Sequence, residues 1–130
     1  MKKQIFLLLT AIIIFASCNK SDEERLIGRW KLSHEIKYNV NGTVTEQDYP
    51  YEGNTSVLVF EDDGIYRYTE VKSLKVTADT GTYNFSEKKY FSQKGEIIGE
   101  ILDIQKKKLM VDVYKNTIKT YQRTFEKMKD

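Results

Sequence analysis

Residues 28 to 40 alternate between apolar and polar side chains, and this alternation limits the possible folds more than any other feature of the chain. The even positions, such as Trp30 and Leu32, are mostly apolar, whereas the odd positions are polar or charged. A period of two places one face of a β-strand against a core and the other in solvent. Asn41-Gly42 then suits the positive φ angles of a type I′ turn. The pattern predicts a long strand that opens a hairpin.

The rest of the chain repeats this pattern at short spacing. Pro50 cannot donate to a strand ladder, so pairing should break there. No segment has a helical apolar stripe, and short strands between turns are typical of a sandwich or barrel. We therefore expect an all-β fold, an antiparallel up-and-down β-barrel of about eight strands with a short ninth around Tyr90-Phe91. Besides the first strand, the segments predicted to form strands are 43 to 49, 56 to 64, 65 to 71, 81 to 85, 97 to 104, 109 to 114 and 117 to 125.

Gly28, Trp30 and Arg123 are predicted to lie together at one end of this barrel, where its first and last strands pair. An up-and-down barrel closes by pairing its first and last strands, so Trp30 is expected beside Arg123 and Phe125. We expect Trp30 to plug the barrel floor and Arg123 to lie over its ring, a cation–π contact of about 0.5–2 kcal/mol. Gly28 is expected to allow a close backbone approach.

This combination of Gly28-x-Trp30 in the first strand and Arg123 in the last resembles the lipocalins. The run F-x-x-D-G-x-Y from Phe60 to Tyr66, with GTY at 81 to 83, is similar to that of short lipocalin-like lipoproteins of Bacteroides-type bacteria. The resemblance covers about residues 26 to 128 and implies a barrel that either binds one small ligand or is filled by its own side chains.

The N-terminal segment is typical of a targeting signal. Lys2 and Lys3 precede an apolar run at 5 to 15 that is too short to span a bilayer comfortably. The sequence at 15 to 18, Phe-Ala-Ser-Cys, resembles the lipobox of bacterial lipoproteins. That resemblance implies a lipoprotein signal peptide at 1 to 17, acylation of Cys18, and a lipid-anchored flexible tether at 18 to 25.

The expected location is the outer membrane, reached through this lipid anchor. Asp22, Glu23 and Glu24 follow the anchor closely and resemble the signal that exports lipoproteins of Bacteroides-like bacteria to the cell surface. A solvated linker is the alternative interpretation of these charges.

Several functional classes do not fit the composition. Two of the 21 basic residues lie in 1 to 17, so the remainder carries 19 charges of each sign, without the basic stripe expected of a nucleic-acid-binding protein. One histidine, with no spare cysteine, makes a poor metal site. The sequence has no nucleophile–base pair and no phosphate-binding loop. We expect no enzyme activity, no cofactor, no metal and no nucleic-acid partner.

The tyrosines and two polar neighbours are the candidate ligand-binding residues. The function expected from them is noncatalytic binding of a small amphipathic or apolar molecule through the rim opposite Trp30, by a monomer. The alternative is a solid barrel, filled by its tyrosines, that serves as a protein-interaction module such as an inhibitor or an accessory subunit of an envelope complex. The residues predicted to face inward are His34, Tyr38, Gln47, Tyr49, Tyr66, Tyr68 and Tyr83.

Overall fold

A computed structural model describes residues 21 to 129. Within this range the chain forms one short helix followed by nine β-strands. Their bounds are α1 Asp22–Leu26, β1 Gly28–Tyr38, β2 Val44–Asp48, β3 Thr55–Phe60, β4 Ile65–Lys72, β5 Lys75–Asn84, β6 Lys89–Ser92, β7 Ile97–Ile104, β8 Lys108–Lys115 and β9 Ile118–Lys127.

Eight of these strands, β1 and β3 to β9, form a closed antiparallel barrel. Its ring is complete because β1 pairs with β3 on one side and with β9 on the other. β2 pairs with the second half of β1, on the same side as β3. The break at Pro50 is confirmed, since residues 49 to 54 separate β2 from β3. The predicted all-β antiparallel barrel and its closure by the first and last strands are confirmed.

The wall is incomplete beside β5. This strand begins six residues earlier than predicted, and β6 pairs with its second half, Gly81 to Asn84. Within the described part of the chain, residues 75 to 80 pair on one side alone, with β4. They are exposed on both faces. Val76 and Ala78 alternate with polar residues here, a short strand-like pattern that the prediction of a strand at 81 to 85 left out.

A β-bulge in β1 changes which residues face the interior. The register with β9 shifts between Leu32 and His34, and an extra residue in a strand reverses the side-chain alternation beyond it. Trp30 and Leu32 therefore face inward, and Glu35 does so after the bulge, with 13% of its side chain exposed. His34 and Tyr38, predicted to face inward, lie on the outer wall instead.

Trp30 is fully buried at the barrel floor. Its indole Nε1 donates a hydrogen bond of 2.9 Å to the carbonyl of Leu26, the last residue of α1. The cation over its ring is Lys127, whose Nζ lies 4.5 Å from the ring centroid. The prediction that Arg123 covers Trp30 is wrong, because β9 runs further along β1 and places Lys127 opposite Trp30 and Arg123 opposite Glu35.

The floor is closed by the segment that leads into β1. Lys127 Nζ donates to the carbonyls of Arg25 and Ile27, at 2.9 Å and 2.5 Å. Gly28 has φ of +132°, and a Cβ there would lie 2.6 Å from Lys127 Nζ. The group that approaches this glycine closely is therefore a side-chain ammonium, where a backbone approach was expected. Residues 22 to 25, predicted to belong to a flexible tether, lie in α1, whose N-cap is Ser21.

The core fills the half of the barrel nearest this floor. It is built from the inward faces of β1, β3, β4 and β6 to β9, with one residue from α1. The buried apolar residues are Leu26, Trp30, Leu32, Leu58, Phe60, Tyr66, Tyr90, Ile101, Leu109, Val111 and Phe125.

We predict that Trp30→Ala lowers the free energy of unfolding by about 3–5 kcal/mol, the range for emptying a buried aromatic site. Lys127→Met should cost less, because it keeps the apolar stem over the ring. Arg29→Ala, on the exposed face of the same strand, is the control and should change stability by less than about 0.5 kcal/mol. Urea denaturation measures all three, and equal losses for Trp30→Ala and Arg29→Ala would contradict the buried floor.

Candidate ligand-binding cavity

The barrel contains a cavity of about 520 Å³ in the half away from Trp30. Part of its lining comes from the unpaired part of β5 and from the turn that joins β6 to β7. The lining combines aromatic, aliphatic and charged side chains. The residues that line it are Tyr66, Tyr68, Ala78, Asp79, Thr80, Tyr90, Ser92, Gln93, Lys94, Glu96, Ile98, Val113 and Arg123.

Two of the lining tyrosines rest against glycines of the barrel wall. A Cβ at Gly99 would lie 2.1 Å from the ring of Tyr90, and one at Gly81 would lie 2.6 Å from the ring of Tyr66. The two rings also meet edge to face, with centroids 4.8 Å apart. The glycines thus let both rings lie close to the wall and leave space inside the barrel.

Burial keeps the hydroxyl groups of these tyrosines protonated. It raises the pKa of Tyr66 and of Tyr68 to about 12, and it raises the pKa of Tyr90 as well. A tyrosine hydroxyl is already neutral at pH 7, and the raised pKa values keep these groups neutral at alkaline pH as well. The tyrosine part of the lining can contact an apolar group and still hydrogen-bond a polar one.

Arg123 is the buried cation of the cavity. Its Nε donates a hydrogen bond of 2.7 Å to Glu35 Oε2, and the two side chains are 12% and 13% exposed. The guanidinium carbon lies 5.2 Å from the ring centroid of Tyr68 and 4.6 Å from that of Tyr121. Among residues 21 to 129, the two terminal guanidinium nitrogens of Arg123 donate no hydrogen bond. They are therefore the donors of Arg123 that are left for a bound molecule.

A second, smaller cavity of about 60 Å³ adjoins Arg123. Its lining includes Glu35, Ser56 and Tyr49, and the Tyr49 hydroxyl donates to Glu35 Oε1 at 3.4 Å. Arg123 lines both cavities, so the Arg123–Glu35 pair lies between them.

The structure brings together some of the residues predicted to bind ligand. Tyr66 and Tyr68 line the main cavity, and Tyr49 lines the smaller one. Gln47 lies opposite Glu35, but its amide donates to the carbonyl of Asp48 and it lines neither cavity.

The other predicted residues lie elsewhere. Tyr83 packs edge to face on Phe60 near the floor, with ring centroids 5.1 Å apart, and its hydroxyl donates to the carbonyl of Glu61. Tyr38 lies on the outer wall, where Lys119 Nζ is 5.0 Å from its ring centroid.

His34 forms a polar cluster on the outer wall. Its Nδ1 lies 2.7 Å from Asp48 Oδ1 and its Nε2 lies 3.4 Å from Glu46 Oε1. The hydrogen bond with Asp48 raises the pKa of His34, and the contribution of Glu46 has the same sign, whereas partial burial opposes both. His34 is therefore a surface titrating group and does not contribute to the cavity.

Several lining residues were missed at the sequence level. Tyr90 lies in the short strand at 89 to 92, whose four residues are too few to establish a periodicity. Arg123 was assigned to the floor because the register of β9 against β1 was placed two to four residues away from the observed one. Glu35 faces inward because of the bulge, which leaves no signal in the sequence.

Among residues 21 to 129, no group of three or more His, Cys, Asp or Glu side chains is arranged so that it could hold a metal ion. In the same range, no helix is both long and apolar enough to cross a membrane.

Comparisons with known proteins give one structural similarity. No family model and no curated protein matches the sequence. A solved structure of the siderocalin Ex-FABP, described as functioning through dual ligand specificities, matches with a TM-score of 0.47 and 13% identity. The match covers 80% of this chain and 71% of that one. At this identity and TM-score the likeness transfers no ligand and no activity.

The cluster around His34 predicts a pH dependence of stability. Because the folded-state pKa lies above 6.5, protonated His34 stabilises the fold fully below the unfolded pKa of about 6.5, and this stabilisation disappears as pH rises through the folded pKa. The midpoint of urea unfolding of the native chain should therefore exceed that of His34→Gln more at about pH 6 than at about pH 8.5. Asp48→Asn should remove most of this difference, and a difference between the native chain and His34→Gln that is independent of pH would contradict the assignment.

Proposed function

We propose that this protein binds one small amphipathic molecule inside the barrel without catalysing a reaction. The observation that carries the proposal is the cavity of about 520 Å³, which lies within the range of roughly 300–1,000 Å³ common for small-molecule sites. A barrel filled by its own tyrosines, the basis of the alternative protein-interaction function, would not leave such a volume.

The lining indicates the chemistry of the ligand. Tyr66, Tyr90, Ile98 and Val113 provide an apolar and aromatic surface for the body of the molecule. The terminal nitrogens of Arg123 provide donors for a polar head group. Because Glu35 already balances the charge of Arg123, and Asp79 and Glu96 also line the cavity, an uncharged acceptor suits this position better than an anion.

The cavity residues support binding rather than catalysis. The tyrosines have raised pKa values because of burial, which makes them poor general bases at neutral pH. His34, a residue suited to proton transfer, lies outside the barrel with Asp48 and Glu46. A carrier or sensor of a small molecule is the function that this arrangement supports best.

We also propose that the protein is an outer-membrane lipoprotein anchored through Cys18 and displayed at the cell surface. Residues 1 to 17 and Cys18 lie outside the described residues, so the support comes from the sequence. The described chain begins at Ser21 beside the floor, and the three residue steps from Cys18 to Ser21 can span at most about 11 Å. An anchor at Cys18 would hold the floor near the bilayer and leave the cavity further from it.

We predict that filling the cavity abolishes binding. Val113→Phe should weaken binding of the best ligand at least about tenfold, because the added ring occupies the space of the apolar body. Fatty acids, isoprenoids and tetrapyrroles are the probes, titrated against delipidated protein by fluorescence and calorimetry. Tyr38→Ala, on the outer wall, is the matched control and should bind as the native protein does. Absence of binding to every probe, or equal weakening by both variants, would contradict the proposed site.

The anchor makes a separate prediction. Cys18→Ala should leave the signal peptide uncleaved or release the protein from the membrane fraction, because the thiol that accepts the lipid is gone. Cell fractionation and mass spectrometry of the N-terminus measure both results. Replacement of Asp22, Glu23 and Glu24 by alanine should abolish cleavage by external protease in whole cells. Unchanged membrane retention of Cys18→Ala with a normally processed N-terminus would overturn the anchor.

A further inference from the structure

The first half of β5 has an open edge. Residues 75 to 80 pair with β4 in unbroken register, from Lys75 opposite Lys72 to Thr80 opposite Arg67. Within residues 21 to 129 no strand pairs with their other side, because β6 begins its pairing at Gly81. An unprotected strand edge is a template for pairing with a further strand.

The backbone groups that face this edge can be identified. Tyr83 donates its backbone N–H to Gly64 across the β4–β5 pair. Because hydrogen-bonding groups alternate along an antiparallel strand, the odd residues of this unbroken register point their N–H and C=O groups toward β4. The even residues Val76, Ala78 and Thr80 point theirs to the open edge.

We propose that β5 of a second copy of this chain pairs antiparallel with this edge and forms a two-fold dimer, with Thr77 on the symmetry axis. Val76 of one copy then lies opposite Ala78 of the other, and each such pair exchanges two backbone hydrogen bonds. Two-fold symmetry repeats this pair, which gives roughly four backbone hydrogen bonds. A continuous sheet joins the two barrels, and the strand of the second copy lies beside Ala78, Asp79 and Thr80, which also line the cavity.

The side chains of β5 are complementary to themselves in this register. Lys75 lies opposite Asp79 of the second copy, and the symmetry produces that ion pair twice. Thr77 lies opposite Thr77. These are non-hydrogen-bonded positions, where cross-strand side chains come closest, and opposite charges and threonine pairs are both favourable there.

The apolar residues of the same hairpin also favour association. Leu74 at the β4–β5 turn is 98% exposed and Val76 is 63% exposed. In the proposed register Val76 meets Ala78, and Leu74 lies opposite Thr80 of the second copy. Pairing would therefore cover apolar surface that the monomer exposes to water.

The edge of β2 shows that this complementarity is specific to β5. β2 pairs with β1, and its other edge has no strand partner within the described residues. The equivalent two-fold pairing about its centre would place Glu46 opposite Glu46 and leave no basic residue of Val44–Asp48 to compensate. Like charges directly opposite each other destabilise a strand pair, so a second copy is not expected at β2.

The charges of β5 provide the test of the dimer. We expect sedimentation velocity of the full chain in detergent to show a concentration-dependent dimer. Lys75→Asp should raise the dissociation constant about tenfold or more, because it places two acidic residues opposite each other twice. The double variant Lys75→Asp with Asp79→Lys should restore the dimer. Glu46→Lys on β2 is the control and should leave it unchanged.

A crosslink tests the register. Thr77→Cys should form a disulfide-linked dimer under mild oxidation, since the two Cα atoms across the axis lie within disulfide reach, about 4.5 Å apart. The native chain contains Cys18 and is the control for that thiol. A chain that stays monomeric at every concentration, a dimer that Lys75→Asp does not weaken, or a second strand from another protein on β5 would overturn the proposal. Circular dichroism melting confirms that each variant is folded.

Discussion

The pairing of β1 with β9 determines the rest of the structure. It closes the ring of strands and places Lys127 over the buried ring of Trp30. The same ammonium group binds the carbonyls of Arg25 and Ile27, so the closure also holds the end of α1 against the barrel. Burial of an indole under a cation that is itself held by backbone carbonyls gives the floor a single arrangement. The apolar core is concentrated at the floor, which leaves space for the cavity in the other half of the barrel.

The sequence predicted the barrel because most of its strands have one apolar face and end at clear turn residues. The alternation around Trp30 and Leu32 and the break at Pro50 each express a local preference that the fold retains. The type I′ turn predicted at Asn41-Gly42 is wrong, because the loop is the three residues 40 to 42, with Asn39 bonded to Thr43, and of the pair only Gly42 has a positive φ. Residues 75 to 80 were missed as a strand because their apolar alternation consists of only Val76 and Ala78, and both faces are exposed. These residues form a strand because they pair with β4. The sequence of one segment does not show which other segment it pairs with.

The candidate site was predicted less well than the fold, and the bulge in β1 explains much of the difference. A shift of one residue moves every later side chain to the other face, so His34 and Tyr38 moved outward and Glu35 moved inward. Arg123 was expected to act at the floor, but its pairing with Glu35 makes it part of the cavity. β4 pairs with both of its neighbours without a register shift. Tyr66 and Tyr68 therefore keep the predicted inward orientation, and both line the cavity.

Gly99 gives the barrel a means of changing the volume of its cavity through the wall. It leaves room for the Tyr90 ring to lie against the backbone, since a Cβ there would lie 2.1 Å from that ring. A methyl group at position 99 would have to displace the Tyr90 ring toward the interior, which would reduce the space available to a guest molecule. Related barrels could therefore differ in the size of molecule they accept while keeping an identical set of lining side chains.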